Sequence, residues 1–267
     1  MENKTHISGR LTFLGTGTSV GVPIIGCNCP VCRSADPRDA RLRCSALIQI
    51  AGKKILIDTG PDFRQQALRH HITRLDAILI THNHYDHLYG LDDVRPLGSV
   101  SVYGEPLVLK TIYETMPYCF GEHKYPGSPT IHLHEVTPYE PFMIEDVSIL
   151  PLRVTHGRLP IVGYRIGSLA YITDASELPE DTYAALRGEG AYAALGPVRT
   201  LVLNALRVTP HPSHFSLSES IAAAKRIGAR DTYFIHFSHD IGLHAEVDAS
   251  LPAGMHMACD GLQIEIA

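Results

Sequence analysis

The sequence has no stretch of about 18 apolar residues, the length that a membrane-spanning helix requires. Residues 1–10 are polar and lack the apolar core of a secretory signal. Both absences argue against a membrane or secreted protein. We therefore expect a cytoplasmic protein that has no membrane partner.

The sequence also lacks a surplus of basic residues. It has 23 Lys and Arg against 28 Asp and Glu, a net charge of −5 with neutral histidines. The nearest basic cluster is Arg38, Arg41 and Arg43, which is more typical of a solvated loop. A general nucleic-acid binder needs a basic face that replaces counterions. We therefore do not expect nucleic acid as a partner, and a homodimer is left open.

No linker, low-complexity run or repeat of fixed period interrupts the 267 residues. The composition, 45% hydrophobic and 19% charged, is that of a globular chain. A chain of this length buries roughly three quarters of its extended surface. The sequence therefore predicts a single domain over residues 1–267.

Short apolar runs typical of strands alternate with helical patterns. A turn is predicted at Gly52 and Lys53, between two of the strands. The pattern predicts a mixed α/β (α+β) fold, a four-layer αββα sandwich with two β-rich halves and outer helices. The predicted strands are residues 10–14, 46–50, 54–57, 76–80, 101–103, 147–154, 162–166, 169–172, 200–203, 232–235 and 262–266, and the predicted helices are residues 62–70, 105–116, 177–187 and 216–227.

Histidine is abundant, with 16 in 267 residues, and its placement is informative. Residues 77–87 read AILITHNHYDH, an apolar strand followed at once by His82, His84, Asp86 and His87. Imidazole suits Zn-type ions, and carboxylate suits harder ones. The first two histidines can present nitrogens on one side of an extended loop. The aspartate and the last histidine can then face a second ion.

Three later apolar strands also end in a residue that can bind metal. These residues are His156, Asp174 and His236. Taken singly, each has an ordinary interpretation as a surface or hydrogen-bonded residue. Ligands on strand ends are held rigidly, as a metal site requires. Four such strand ends in one chain favour a shared metal centre.

The motif His-x-His-x-Asp-His, followed by a distant His, an Asp and a His, resembles the metallo-β-lactamase superfamily. The resemblance implies one ion on His82, His84 and His156 and a second on Asp86, His87 and His236. It also implies that Asp174 bridges the two ions. We expect the metals to be two divalent cations, Zn or Mn.

Asp58, in ILIDTG, also lies at a strand end. In the same superfamily a matching aspartate supports the metal site from behind, and such carboxylates orient ligating imidazoles. An Asx turn before Gly60 and Pro61 is the alternative. The sequence leaves both interpretations open.

A second candidate metal site lies near the start of the chain, where residues 26–32 read GCNCPVC. Cysteines in the cytosol stay reduced, so Cys27, Cys29 and Cys32 indicate a structural zinc, which needs four N or S ligands. We propose His239 as the fourth, because it follows His236 by three residues and can point away from the first site. Three buried thiols without metal are the alternative. The remaining cysteines, Cys44, Cys119 and Cys259, are predicted packing residues.

The cysteine loop narrows the resemblance. Residues 14–29 read LGTGTSVGVPIIGCNC, and with the two metal sites they resemble the phosphoribosyl cyclic phosphodiesterases of the carbon–phosphorus lyase pathway and their relatives. The sequence is also similar to tRNase Z, which shares the core but not this loop. In the phosphodiesterase family a histidine matching His214 approaches the scissile phosphate. His214 precedes a capping box of Ser216 and Glu219, and we assign His211 no role.

The resemblance implies a metal-dependent hydrolase, most simply a phosphodiesterase of a small cyclic or nucleotide-like phosphodiester. We expect a hydroxide between the ions, oriented by Asp86, to attack phosphorus while His214 assists the leaving oxygen. The alternatives are a tRNase Z-like nuclease, a thioester or lactam hydrolase of the same fold, and a metal-stabilised binding module without turnover.

Overall fold

The fold was obtained as a computed structural model, which describes residues 9–266. Most of the polar segment 1–10 therefore lies outside the described residues, as does residue 267. The strands are β1 Gly9–Gly15, β2 Ser45–Ile50, β3 Lys53–Ile57, β4 Ala77–Leu79, β5 Ser99–Gly104, β6 Thr130–Glu135, β7 Phe142–Ile144, β8 Val147–His156, β9 Leu159–Ile166, β10 Leu169–Ile172, β11 Thr200–Asn204, β12 Asp231–Ile235, β13 Met255–Met257 and β14 Gln263–Ile266. The helices are α1 Phe63–Arg69, α2 Tyr85–Leu88, α3 Pro106–Thr115, α4 Glu180–Arg187, α5 Leu217–Ile227 and α6 His244–Ser250.

The strands form two seven-stranded sheets. The first has the order β14-β1-β2-β3-β4-β5-β6 and the second β13-β12-β11-β10-β9-β8-β7. Each half of the chain thus supplies one sheet, except that the last strand returns to pair with β1. In the second sheet β10, β11 and β12 are parallel, and β8 runs in the same direction because both it and β10 pair antiparallel with β9. Their carboxyl ends therefore meet at one edge.

Three apolar clusters separate the layers. The first fills the space between the sheets, with Phe13 and Ile48 facing Tyr164 and Val202. The second lies between the second sheet and helices α4 and α5, and the third lies between the first sheet and helices α1 and α3. The predicted mixed α/β sandwich with four layers is confirmed.

Local sequence explains where several elements begin and end. Helix α5 starts at the predicted capping box, where Glu219 accepts hydrogen bonds from the Ser216 backbone N–H at 2.8 Å and from its hydroxyl at 2.6 Å. It ends at Gly228, whose φ of +76° is the left-handed conformation that glycine adopts without cost. The element types of the predicted strands and helices agree with the structure, with shifted ends.

The turn between β2 and β3 differs from the prediction by one residue. Its central residues are Ala51 and Gly52, with φ of +50° and +75°, whereas the sequence placed Gly52 and Lys53 there. Lys53 instead pairs with Ile50 at the end of the ladder. A two-residue hairpin needs positive φ at both central positions, and the ladder register imposes this on the alanine.

No helix among residues 9–266 is long and apolar enough to span a membrane.

A buried tyrosine links the two sheets directly below the first ligand segment. The Tyr164 hydroxyl, on β9, donates to the Ile80 carbonyl at 2.8 Å. The Val162 N–H donates to the Thr81 carbonyl at 3.2 Å. Tyr164 is fully buried, so no water replaces its bond. These contacts fix the end of β4, from which His82 and His84 extend.

We expect Tyr164→Phe to lower the free energy of unfolding by about 1–3 kcal/mol, because the buried Ile80 carbonyl loses its partner. Urea unfolding measures this change. Tyr113→Phe is the matched control, since Tyr113 is 57% exposed and should change stability little. Equal effects of the two substitutions would contradict the role of Tyr164.

Candidate metal centre

The carboxyl ends of four strands converge at the edge between the two sheets. His82 and His84 follow β4, His156 ends β8, and His236 follows β12 directly. Asp174 lies two residues beyond β10. The apolar strands are fixed by the core, so the polar residues that follow them are delivered to one place.

All seven residues predicted for the two-metal site lie together. Ligand atoms within each of three groups lie within 4.8 Å of one another. One of these groups contains Asp174 and shares His82 with the first and His87 with the second, so Asp174 lies beside both. Its Oδ1 is 3.1 Å from His236 Nε2, and its Oδ2 is 3.3 Å from His87 Nε2. Asp174 thus has the position expected of a bridging carboxylate. The groups are His82, His84 and His156; Asp86, His87 and His236; and His82, His87 and Asp174.

Buried imidazole nitrogens show that these residues fit metal ions. Nε2 of His82, His87 and His236 is buried, and none of the three makes a well-aligned hydrogen bond; the Asp174 carboxylate beside two of them is itself a predicted ligand. An unsatisfied buried polar atom is costly, and a coordinated cation satisfies it. The donor set of imidazoles and carboxylates suits Zn or Mn. The fit supports the predicted ligand set, which stays a prediction.

Charge in the centre is concentrated on carboxylates. Burial raises the pKa of Asp174, but His236 and His87 outweigh it and hold the pKa well below its usual value. Burial likewise raises the pKa of Asp86, but His87 and His236 together outweigh burial and lower this pKa. Burial lowers the pKa of His87, but the neighbouring carboxylates, chiefly those of Asp86 and Asp174, outweigh burial. The pKa of His87 is therefore raised well above its usual value. The carboxylates remain ionised and attract cations.

Three residues of the centre have strained backbones. Asp58, Asp174 and His236 have φ of +60°, +55° and +61°, the left-handed region that residues other than glycine seldom adopt. Each such residue costs on the order of 1–2 kcal/mol. Asn204 helps to hold the backbone next to Asp174. Its side-chain oxygen accepts from the Ala175 N–H at 2.7 Å, and its side-chain nitrogen donates to the Ala175 carbonyl at 3.0 Å.

Asp58 lies behind the site and orients two predicted ligands. Its Oδ2 is 2.7 Å from His87 Nδ1. The Thr81 backbone N–H and hydroxyl donate to its carboxylate at 2.8 and 2.9 Å. The Thr81 hydroxyl is also 3.0 Å from His82 Nδ1. The structure therefore favours the supporting role over the Asx turn, because the carboxylate fixes both rings.

His214 lies on the partly open side of the centre. Its ring centroid is 4.5 Å from that of His156 and 5.0 Å from that of His236, and its Nδ1 is 3.6 Å from Asp174 Oδ1. Burial and the neighbouring His236 lower its pKa to about 3, so the ring is neutral at pH 7. His211, with its ring 5.1 Å from that of His214, lies farther out.

The second predicted site is also assembled. His239 Nδ1 lies 3.3 Å from Cys27 Sγ, 3.4 Å from Cys29 Sγ and 3.5 Å from Cys32 Sγ. Tetrahedral zinc with Zn–S of about 2.3 Å and Zn–N of about 2.0–2.1 Å separates S and N by roughly 3.5 Å. The side chains thus fit a closed zinc site.

Sequence reasoning missed several residues that shape these sites. Arg41 is 3% exposed, so its assignment to a solvated loop is wrong. Ser213 was not considered, yet its carbonyl accepts from His156 Nδ1 at 2.6 Å. Thr81 and Asn204 are common residue types whose contacts depend on the register of distant strands. A polar residue at the end of an apolar strand was the available signal for both.

Residues 53–237 match the model of the family described as beta-lactamase superfamily domain. The chain is 44% identical over 259 residues to a protein named octanoyltransferase from Porphyromonas gingivalis. This match covers 95% of the chain. The chain spans about half of that relative, 51% of its length.

Solved structures show the same fold. A diphosphatase from the PhnP family has a TM-score of 0.88 and 42% identity, and the match covers 97% of this chain and 98% of that one. Zn(2+)-bound PqqB from Methylobacterium extorquens has a TM-score of 0.75 and 20% identity, and the match covers 96% of this chain and 99% of that one. At that identity the second likeness shows the fold alone.

We expect Asp58→Asn to weaken metal binding about 10- to 100-fold, because an amide orients the His87 and Thr81 donors less well than a carboxylate does. Competition with a chelator measures the affinity. Asp76→Asn, a half-buried aspartate at the start of β4, is the control. A folded Asp58→Asn protein with unchanged affinity would contradict this role.

We expect Cys29→Ser to lose the metal of the cysteine site, because a serine hydroxyl is a poor zinc ligand at neutral pH. Elemental analysis of purified protein measures the loss. Cys119→Ser, at a buried cysteine outside both sites, should keep the full metal content. Unchanged zinc in the Cys29 variant would show that the thiol cluster is not a metal site.

Proposed function

The chain belongs to the β-lactamase superfamily, and from this premise we propose that it is a metal-dependent hydrolase of small phosphoric diesters. The diphosphatase of the PhnP family, at 42% identity, supports cleavage of a phosphorus–oxygen bond. The proposal includes cyclic diesters and the anhydride bond of substituted diphosphates, since in both the attacked phosphorus has two substituted oxygens and one negative charge. A metal-stabilised module without turnover is the weaker alternative, because the residues fit a complete ligand set.

Two divalent cations are proposed for the centre, Zn or Mn, and one zinc for the cysteine loop. In the centre, His82, His84 and His156 would hold one ion, and Asp86, His87 and His236 the other, with Asp174 between them. When bound, such ions lower the pKa of water and stabilise the charge of an in-line displacement.

The charges of the chain's own residues favour an anionic substrate once the ions are bound. Asp86 and Asp174 are buried and ionised, and Asp58 adds a third buried carboxylate whose pKa is raised by burial. Two divalent cations exceed the charge of these carboxylates by at least about one positive charge, which attracts a phosphodiester anion. Asp86 stays ionised, so its carboxylate can accept a hydrogen bond from an attacking water and orient it.

The position of His214 is the observation that carries the proposal. Its side chain is 11% exposed, and it faces the same space as His156 and Asp174. A neutral imidazole offers one N–H, which suits a hydrogen bond to a phosphate oxygen or to the leaving oxygen. Its role is therefore that of a donor rather than of a charged acid.

The features of the chain favour a small substrate over RNA. The net charge is −5, and the segment between α3 and β6 spans only residues 116–129 with two short 3₁₀ turns. A tRNA nuclease needs a basic surface or an extended arm for its substrate. We therefore propose neither nucleic acid nor membrane as a partner.

A thioester hydrolase is the second candidate, because the octanoyltransferase from P. gingivalis shares 44% identity with this chain. That protein is about twice as long as the matched region, so its octanoyl transfer can belong to either half. An octanoyl thioester is the substrate that separates this candidate from the first.

We expect purified, metal-replete protein to hydrolyse bis-p-nitrophenyl phosphate and at least one ribose cyclic phosphate or dinucleoside diphosphate. Nitrocefin and an octanoyl thioester should remain intact. Release of p-nitrophenol, chromatographic detection of the phosphate monoester products, the colour change of nitrocefin and release of free thiol measure these reactions. Turnover of the thioester alone would replace the first candidate with the second, and turnover of nitrocefin alone would indicate a lactamase.

We expect His214→Gln to lower kcat on the diester by about 10²–10⁴-fold, because the donor to the phosphate or leaving oxygen is displaced. Metal content should stay unchanged. His211→Gln is the matched control and should have a much smaller effect. Loss of metal from the His214 variant would instead show that His214 is a ligand, as its grouping with His156 and Asp174 allows.

A further inference from the structure

We propose that the buried Arg41 is a positioning residue that couples the two metal sites. It does so by fixing residues 236–239, which we name the shared segment, because His236 belongs to one site and His239 to the other. This inference rests on the metal sites proposed above. It adds that the affinity of each site depends on occupation of the other.

The shared segment is fastened along its length. The Phe237 N–H donates to the Thr16 carbonyl at 3.0 Å, and its carbonyl accepts from the Thr18 N–H at 2.9 Å. The Ser238 N–H donates to the Leu206 carbonyl at 2.8 Å. Only Phe237 and Ser238 separate the two histidines. A displacement of one histidine therefore moves the other.

Arg41 contacts Phe237, in the middle of the shared segment. Its Cζ lies 4.5 Å from the centroid of the fully buried Phe237 ring, the geometry of a cation–π contact. One guanidinium nitrogen donates to the Thr16 hydroxyl at 2.9 Å and to the Ala258 carbonyl at 2.7 Å. The other lies 3.0 Å from His244 Nδ1, the acceptor of that ring.

The positive charge of Arg41 is compensated by carboxylates that contact its hydrogen-bond partners. Within residues 9–266 no carboxylate forms a direct ion pair with Arg41. The Thr16 hydroxyl, which accepts from Arg41, donates to Asp260 at 2.8 Å. Asp260 also accepts from the Thr16 and Leu42 N–H groups at 2.9 and 2.7 Å. Asp39 accepts from the His244 N–H at 2.8 Å. The network fixes Arg41 and Thr16, and these two residues contact the ring and the backbone N–H of Phe237.

This arrangement gives the segment a defined position that costs free energy to leave. Moving Phe237 would remove the aromatic face from the buried guanidinium and break the backbone hydrogen bonds of Phe237 to Thr16 and Thr18. The left-handed backbone of His236, whose φ is +61°, opposes this position, so the contacts of Phe237 with Arg41, Thr16 and Thr18 offset its strain. Binding of metal at either site favours the same position. By linkage, metal at one site strengthens binding at the other by the same factor.

The test compares Arg41→Met with Arg165→Met. Arg165 is also buried, but its guanidinium donates to carbonyls of Gly167, Ala185, Leu195 and Gly196, remote from the metal sites. Both variants should be less stable to urea. We expect only Arg41→Met to weaken both metal sites, by about 5- to 150-fold, the usual range of coupling between sites. Chelator competition gives the affinities, and the thiolate absorption of cobalt-substituted protein reports the cysteine site separately.

Arg41→Lys serves if the methionine variant does not fold. Lysine keeps the charge and stem but loses the planar fork that bonds three acceptors and lies over the ring. We expect a folded protein in which both sites are weakened, though less than in Arg41→Met. Wild-type affinity at both sites in a folded Arg41→Lys protein, or an equal loss in Arg165→Met, would overturn the proposal.

A double-mutant comparison isolates the coupling itself. Cys29→Ser should weaken the two-metal site little in the presence of Arg41, which already holds the shared segment, and more strongly in the Arg41→Lys background, where metal in the cysteine site is the remaining restraint. Additive effects would overturn the proposal. Metal content of the wild-type protein is measured first. Absence of metal there would refute the proposed ligand sets and not the coupling.

Discussion

Burial of negative charge next to imidazole nitrogens is the constraint on which this structure depends. Asp58, Asp86 and Asp174 are at most 6% exposed, and they surround His87, which is fully buried. Charges removed from water are costly unless they are paired or bind metal. The fold retains this cost because the two sheets determine where the strands end and where the residues after them lie. The centre is therefore built to be completed by cations.

Strain at the same place has a common origin with the charge. Asp58, Asp174 and His236 each turn sharply out of a strand with positive φ, so the side chain faces the gap between the sheets. A regular continuation of the strand would direct successive side chains to opposite faces. The strands and the hydrogen bonds of Asn204 hold this conformation. The rigid sheets thus hold the predicted ligands in position.

The predictable part of the site is the part written in local sequence. The spacing of His82 to His87 and the strand ends at His156 and His236 are visible without a structure, as is the general sandwich. Contacts that depend on the register of the sheets are not visible in the sequence. Ser213 approaches His156 across 57 residues, and Arg41 approaches His244 across 203. The short strands β7 and β13, each of three residues, carry too little pattern to be predicted.

The metal centre alone does not select a substrate, because two cations activate water for esters, thioesters and lactams alike. Selection depends on what surrounds the open side, and there the chain places His214 on a loop between β11 and α5. That loop is closed by the Leu206 N–H donating to Phe215 and by the Phe215 N–H donating to Ala175, next to Asp174. His214 is therefore fixed relative to Asp174. A phosphate, with several oxygens to share between cations and donor, uses this geometry more fully than a thioester with one carbonyl oxygen does.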